Sequence, residues 1–101
     1  MVIKNEERWV WFAIMSIIDY VDEIIIYDTG STDKTVEIIK TIKSSKIIFE
    51  RFANFIIDGN IHTQARIKMF DNRKFDWALV VDGDEIWTQE AAGEMINTIK
   101  T

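Results

Sequence analysis

The sequence has no cysteine, no proline, four glycines and one histidine among 101 residues. Without cysteine it forms no disulfide, no thiolate zinc site and no cysteine nucleophile, and one histidine leaves little scope for imidazole metal or triad chemistry. The absence of proline and the shortage of glycine remove the turn residues that a small all-β domain uses at each hairpin. Long apolar runs are missing too: the longest stretch free of charge, residues 9–18, is about half of a bilayer span. Basic residues number 12 against 17 acidic ones, for a net charge of -5 with no basic cluster, which argues against nucleic acid as a partner. At 48% hydrophobic and 29% charged, the chain is composed as one small folded domain covering residues 1–101, with no repeat, low-complexity tract or linker. Glu6 and Glu7 arrive where the apolar core of a signal peptide would begin, so a cytoplasmic location is expected.

What the sequence does have is isoleucine in short runs. Ile24-Ile25-Ile26-Tyr27 is closed by Asp28-Thr29-Gly30-Ser31, and Ala78-Leu79-Val80-Val81 by Asp82-Gly83-Asp84. Continuous β-branched runs of this length suit strands buried on both faces, the pattern of a parallel sheet. Ile47-Ile48-Phe49 is a third candidate and Val2-Ile3 the stub of another. Between the runs the period becomes helical. Trp9, Phe12, Ala13, Ser16, Ile17 and Tyr20 form one stripe, and Thr35, Ile38, Ile39 and Ile42 a second, with Ser31 or Thr32 as its cap. A third helix is expected over residues 61–72, and a fourth presents Ala92, Met95, Ile96 and Ile99 on one face. The order β-α-β-α-β-α-β-α predicts an open, mostly parallel α/β sheet. Ligands of such sheets bind beyond the carboxyl ends of the strands, where Asp28 to Asp33 and Asp82 to Glu85 both fall.

Asp82-Gly83-Asp84-Glu85 sets three carboxylates directly after an apolar run. Burying that much like charge is unfavourable unless a cation neutralises it, and all-oxygen ligands favour Mg²⁺ or Mn²⁺. A solvated acidic turn leading into a helix is an equally good reading of the tetrapeptide alone. The stretch from Asp28 to Thr35 is a strand-turn-helix junction without the glycine pattern of a P-loop or a dinucleotide fold. Gly30, Ser31 and Asp33 have ordinary turn and helix-start tasks there, which leaves Asp28 as the one residue with no structural task. His62 reads as a helix-start residue, Arg66 as a solvated cation ahead of a pocket residue, and Trp9, Trp11, Trp77 and Trp87 as core or interface.

Taken together, Val2-Ile3-Lys4-Asn5-Glu6-Glu7, the stretch from Val21 to Thr35, Ala65-Arg66, and the stretch from Asp76 to Glu85 resemble the N-terminal, nucleotide-sugar-binding half of a family 2 glycosyltransferase. The resemblance implies a Rossmann-like half of a GT-A fold that binds a nucleoside diphosphate sugar, usually a UDP-sugar, for transfer to an acceptor hydroxyl. Asp28 matches the acid that hydrogen-bonds the nucleobase, Asn5-Glu6 the segment lining base and ribose, and Arg66 a basic residue near the base. Asp82-Gly83-Asp84 matches the DxD motif, with Asp82 leaning to the ribose and Asp84 holding the Mg²⁺ or Mn²⁺ that bridges the diphosphate. The family's Pro-Thr-Tyr lead is absent before Asn5, and Ile67 stands where an asparagine often follows Ala-Arg. The catalytic base of inverting members lies downstream in an acceptor-binding half, so no residue here matches it, and the chain is expected to be incomplete for catalysis alone.

Two alternatives stand beside this reading. One is a non-catalytic binding or assembly module that keeps the fold. The other is a phosphotransferase of the haloacid dehalogenase type, whose Asp-x-Asp also follows an apolar strand but sits near the chain start. A sheet of this size is also expected to leave apolar surface exposed, which predicts self-association as a two-fold dimer.

Overall fold

The computed structural model describes residues 1–51 and 77–100. Three strands, β1 (Val2–Ile3), β2 (Ile24–Asp28) and β3 (Ile47–Arg51), form a parallel sheet in the order β1-β2-β3. The helix α1 (Val10–Ile17) connects β1 to β2, α2 (Thr35–Thr41) connects β2 to β3, and α3 (Gln89–Lys100) follows the acidic turn. The alternation of buried strand and helix is the α/β pattern expected of the sequence. β2 is central and almost wholly buried, as its β-branched run requires, whereas the outer strand β3 is only half-buried. β1 is short, yet its ladder extends past its ends, because the amides of Tyr27 and Thr29 donate to the carbonyls of Met1 and Ile3 at 2.9 Å each.

One core joins Ile3, Ile24 and Ile26 of the sheet to Val10, Ala13, Ile14 and Ile17 of α1, Ile39 of α2, and Val81. The second stripe packs as expected: Thr35 and Ile39 are buried, with Ile38 and Ile42 half-buried against the core. Ala92 of α3 is also buried, with Met95, Ile96 and Ile99 of the expected face half-buried.

Three expectations are corrected. The buried face of α1 is Val10, Ala13, Ile14 and Ile17, while Trp9 and Phe12 of the predicted stripe are 44% and 52% exposed. Nearly every residue of this helix is apolar, so periodicity cannot select a face. Size does: Ala and β-branched side chains let the helix approach the sheet closely, and the large aromatic rings are turned outward. Among the described residues the run 78–81 pairs with no strand, and only Val81 of it enters the core. Residues 78–80 are exposed, so the run lacks the two buried faces that a central parallel strand requires. Neither Ser31 nor Thr32 caps α2; instead Asp33 Oδ1 accepts from the Thr35 amide at 2.9 Å, and the Glu7 carboxylate accepts from the Lys34 amide at 3.1 Å. The helix expected over residues 61–72, with His62 and Arg66, lies outside the described residues.

The α1 correction is testable by truncation. Ile14→Ala should cost about 2–5 kcal/mol in urea unfolding, the range for a fully buried aliphatic side chain. Phe12→Ala, followed at submicromolar protein, should cost less than about 1 kcal/mol. The reverse ranking would restore the Trp9–Phe12 face to the core.

Candidate functional site

The carboxyl ends of β1 and β2 open into two turns that are bonded to each other at every step. Asn5 adopts the left-handed conformation (φ 53°), which an asparagine tolerates better than most residues, and its Oδ1 accepts from the Thr32 amide at 2.8 Å and the Asp33 amide at 3.4 Å. In the other direction, the amides of Asn5, Glu6 and Glu7 donate to Ser31 Oγ, Thr35 Oγ1 and Asp33 Oδ2 at 2.9, 2.8 and 3.2 Å. Gly30, at φ 127°, supplies a backbone conformation that a side chain would oppose.

Asp28 has the structural task that residue-by-residue reading denied it. It is fully buried, and its Oδ2 accepts from the amides of Gly30 and Ser31 at 3.2 and 3.0 Å, while Oδ1 accepts from the Ser31 hydroxyl. Arg51 completes the arrangement. Its half-exposed guanidinium stands 3.4 Å from Asp28 Oδ2 and donates to the Ser31 carbonyl at 3.1 Å. Arg51 is not among the residues that motif and composition single out. The signal was available in the register, since aligning the two isoleucine runs in parallel sets Asp28 opposite Arg51 at the strand tips.

The acidic tetrapeptide is a tight turn in which the Glu85 amide donates to the Asp82 carbonyl at 3.1 Å. Its carboxylates are not buried: Asp82, Asp84 and Glu85 are exposed, and only Gly83 between them is buried. Glu85 is occupied, accepting from Trp87 Nε1 at 3.0 Å and from the Asp82 amide at 3.4 Å. The turn is moored to α1 by the Trp87 amide, which donates to Ser16 Oγ at 3.0 Å. Gly83 is needed for close approach, because a Cβ there would stand 2.9 Å from both Glu6 Cγ and Ile3 Cγ2.

That approach brings the acidic turn against the Asn5-Glu6 segment. Burial, followed by the charges of Asp84, Asp33 and Asp82, pushes the Glu6 carboxyl above its ordinary value. Asp33 moves the other way: burial raises it, but the Thr35 hydroxyl and the amides of Thr35, Glu7 and Asp33 itself outweigh burial and hold it low. Among the described residues, no three acidic or histidine side chains converge into a complete metal-binding group. Of the expected site residues, Asn5, Glu6, Asp82 and Asp84 are thus neighbours, Asp28 lies beneath the adjoining turn, and Arg66 is outside the described residues.

The whole chain, residues 1–101, matches the model of glycosyl transferase family 2. The chain belongs to that family. It is 32% identical over 95 residues to an uncharacterized glycosyltransferase of Rickettsia typhi, an alignment covering 94% of this chain and 30% of the relative. It is 28% identical over 96 residues to the SPbeta prophage-derived glycosyltransferase SunS of Bacillus subtilis, covering 94% of this chain and 21% of the relative. A TPR repeat-containing protein of Synechococcus elongatus is 32% identical over 95 residues, with 94% and 22% coverage. This family 2 chain therefore spans less than a third of the length of these relatives. Among the described residues, no helix is long and apolar enough to cross a membrane.

The packing and charge of this family 2 site give two testable outcomes. Gly83→Ala should destabilise the fold by about 1–3 kcal/mol in thermal or urea unfolding, because buried Ile3 cannot move aside freely. The second concerns pH. A carboxyl whose folded pKa is raised binds its proton more tightly in the folded state, so its ionisation removes stability as pH rises through and above the ordinary value of 4.5. In metal-free buffer, Glu6→Gln should therefore melt at a higher temperature than the unmodified chain at about pH 7, with the gap closing toward about pH 4. A gap independent of pH would show that Glu6 acts through packing rather than charge.

Proposed function

We propose that residues 1–101 form one domain that binds the nucleoside diphosphate part of a sugar donor, a UDP-sugar, in glycosyl transfer to an acceptor hydroxyl. The observation that carries this reading is the packing of Gly83 against Ile3 and Glu6, which sets the exposed Asp82 and Asp84 beside the Asn5-Glu6 turn at the carboxyl end of a parallel sheet. Family membership and the two relatives named as glycosyltransferases support the reaction class. Membership also decides against the haloacid dehalogenase alternative.

The residues fit a hard divalent ion. Mg²⁺ and Mn²⁺ take one or two protein carboxylates and fill the remaining positions with phosphate oxygens and water, so a complete protein cage is not required. The Glu6 carboxyl, raised first by burial and then by the charges of Asp84, Asp33 and Asp82, lies where those acids gather. In this proposal Asp84 is the main ligand and Asp82 assists it while leaning to the ribose. When bound, the ion neutralises the charge that develops on the departing diphosphate. Asn5 and Glu6 line the base and ribose; the basic residue that the resemblance implies near the base, Arg66, lies outside the described residues. Asp28 holds, through the amides of Gly30 and Ser31, the turn that faces the nucleobase in this proposal. No catalytic base is assigned.

Calorimetric titration of the chain with UDP and GDP, with and without Mn²⁺, tests the reading. UDP should bind more tightly than GDP, and Mn²⁺ should strengthen binding. Asp84→Asn should remove the Mn²⁺-dependent gain, roughly 1–3 kcal/mol, without a marked change in melting temperature. UDP binding indifferent to Mn²⁺ and to this substitution would overturn the metal assignment.

A further inference from the structure

Most of the large exposed apolar side chains of the described residues fall on two segments, residues 77–80 and the outer side of α1. On α1, Trp11, Phe12 and Met15 are 43%, 52% and 39% exposed, and the Trp11 and Phe12 rings meet edge to face at 5.3 Å. Arg8 lies in the turn that leads into the helix and Asp19 in the turn that leaves it. Both turns continue the winding, since the Val10 amide donates to the Glu6 carbonyl and the Tyr20 amide to the Ile17 carbonyl. At about 100° per residue, Arg8, Trp11, Phe12, Met15 and Asp19 occupy one sector about 100° wide. An open groove lined by Trp11, Met15, Ile18, Asp19, Lys43 and Lys46 runs along the same side.

We propose that this face is the interface of a two-fold dimer of the chain, with the two α1 helices crossing antiparallel. The occupant is argued from self-complementarity. Arg8 and Asp19 are equally distant from the midpoint between residues 13 and 14, and so are Phe12 and Met15. A two-fold axis through that midpoint sets Arg8 against the partner's Asp19 and Phe12 against the partner's Met15, each pair occurring twice, as an isologous interface requires. Thioether-aromatic contact and opposite charge both favour this pairing. Arg8 and Asp19 are exposed and make no ion pair within the chain among the described residues, so both are available to a partner. The dimer uses none of the residues proposed for the nucleotide.

Sedimentation and light scattering of the 101-residue chain across micromolar and submicromolar concentration, with circular dichroism to verify folding, test the proposal. The chain should be dimeric at the higher concentration and dissociate on dilution. Arg8→Asp and Asp19→Arg should each weaken the dimer about three- to tenfold, the scale of two exposed ion pairs turned repulsive. The double variant Arg8→Asp/Asp19→Arg should restore it, an effect that general surface stickiness cannot produce. Phe12→Glu should give a folded monomer. A chain monomeric at every concentration, a dimer that survives Phe12→Glu, or a double variant no tighter than the single ones would overturn the proposal.

Discussion

The mutual bonding of the turns after β1 and β2 is the constraint on which the rest of the structure depends. β1 pairs through only Val2 and Ile3, too few residues to hold a sheet edge by ladder bonds alone. The turn beyond it secures its place. The side-chain oxygens of Ser31, Thr35 and Asp33 take the three successive amides of Asn5, Glu6 and Glu7, while Asn5 and Glu7 return bonds to the amides of Thr32, Asp33 and Lys34. Each bond is worth only about a kcal/mol net. Together they fix two turns as one surface and present Glu6 to the acidic turn.

Electrostatics divides that surface into a settled part and an unsettled one. Asp28, the most buried charge, is settled by two amides, a hydroxyl and Arg51, an arrangement that tolerates burial because the carboxylate has partners on both oxygens. Asp33 is settled by amides and a hydroxyl, which is why its carboxyl is held low. Among the described residues, Glu6 and Asp84 form no salt bridge, and the raised Glu6 carboxyl records the cost of burial and, after it, of the acids gathered around it. On the proposed reading a divalent ion would bring positive charge to the place where the fold gathers acids.

Much of this was legible in the sequence because isoleucine runs closed by acidic turns mark parallel strands and the end of the sheet where ligands bind. β2, β3, the packing stripe of α2 and the convergence of the Asn5-Glu6 and Asp82-Asp84 segments all conform to that pattern. What could not be read there was any property set by one residue's partner elsewhere in the chain. The face of α1 was hidden because the helix is apolar almost all round, so the choice between Phe12 and Ile14 rests on how closely each lets the helix approach the sheet. The strand expected at residues 78–81 failed because three of its four apolar residues stand exposed, and composition does not say which apolar runs find a partner. Asp28 looked idle in a one-dimensional reading because Arg51, far along the chain, meets it only through parallel pairing.

α1 ties these features together. Its inner face of small and β-branched residues holds the sheet, its preceding turn holds Glu6, and Ser16 receives the amide of Trp87 just beyond the acidic turn. The helix thus sets both walls of the candidate site, one through the segment before it and one through a side chain near its end. A side chain that fits the sheet poorly is displaced to the outer face, so the packing that positions the site also creates the aromatic stripe of Trp11, Phe12 and Met15. Covering that stripe would remove apolar area from water at about 25 cal/mol per Å² and would stiffen the helix from outside. The proposed association through α1 would therefore be linked to the geometry of the acidic turn through one element, although no residue is shared between them.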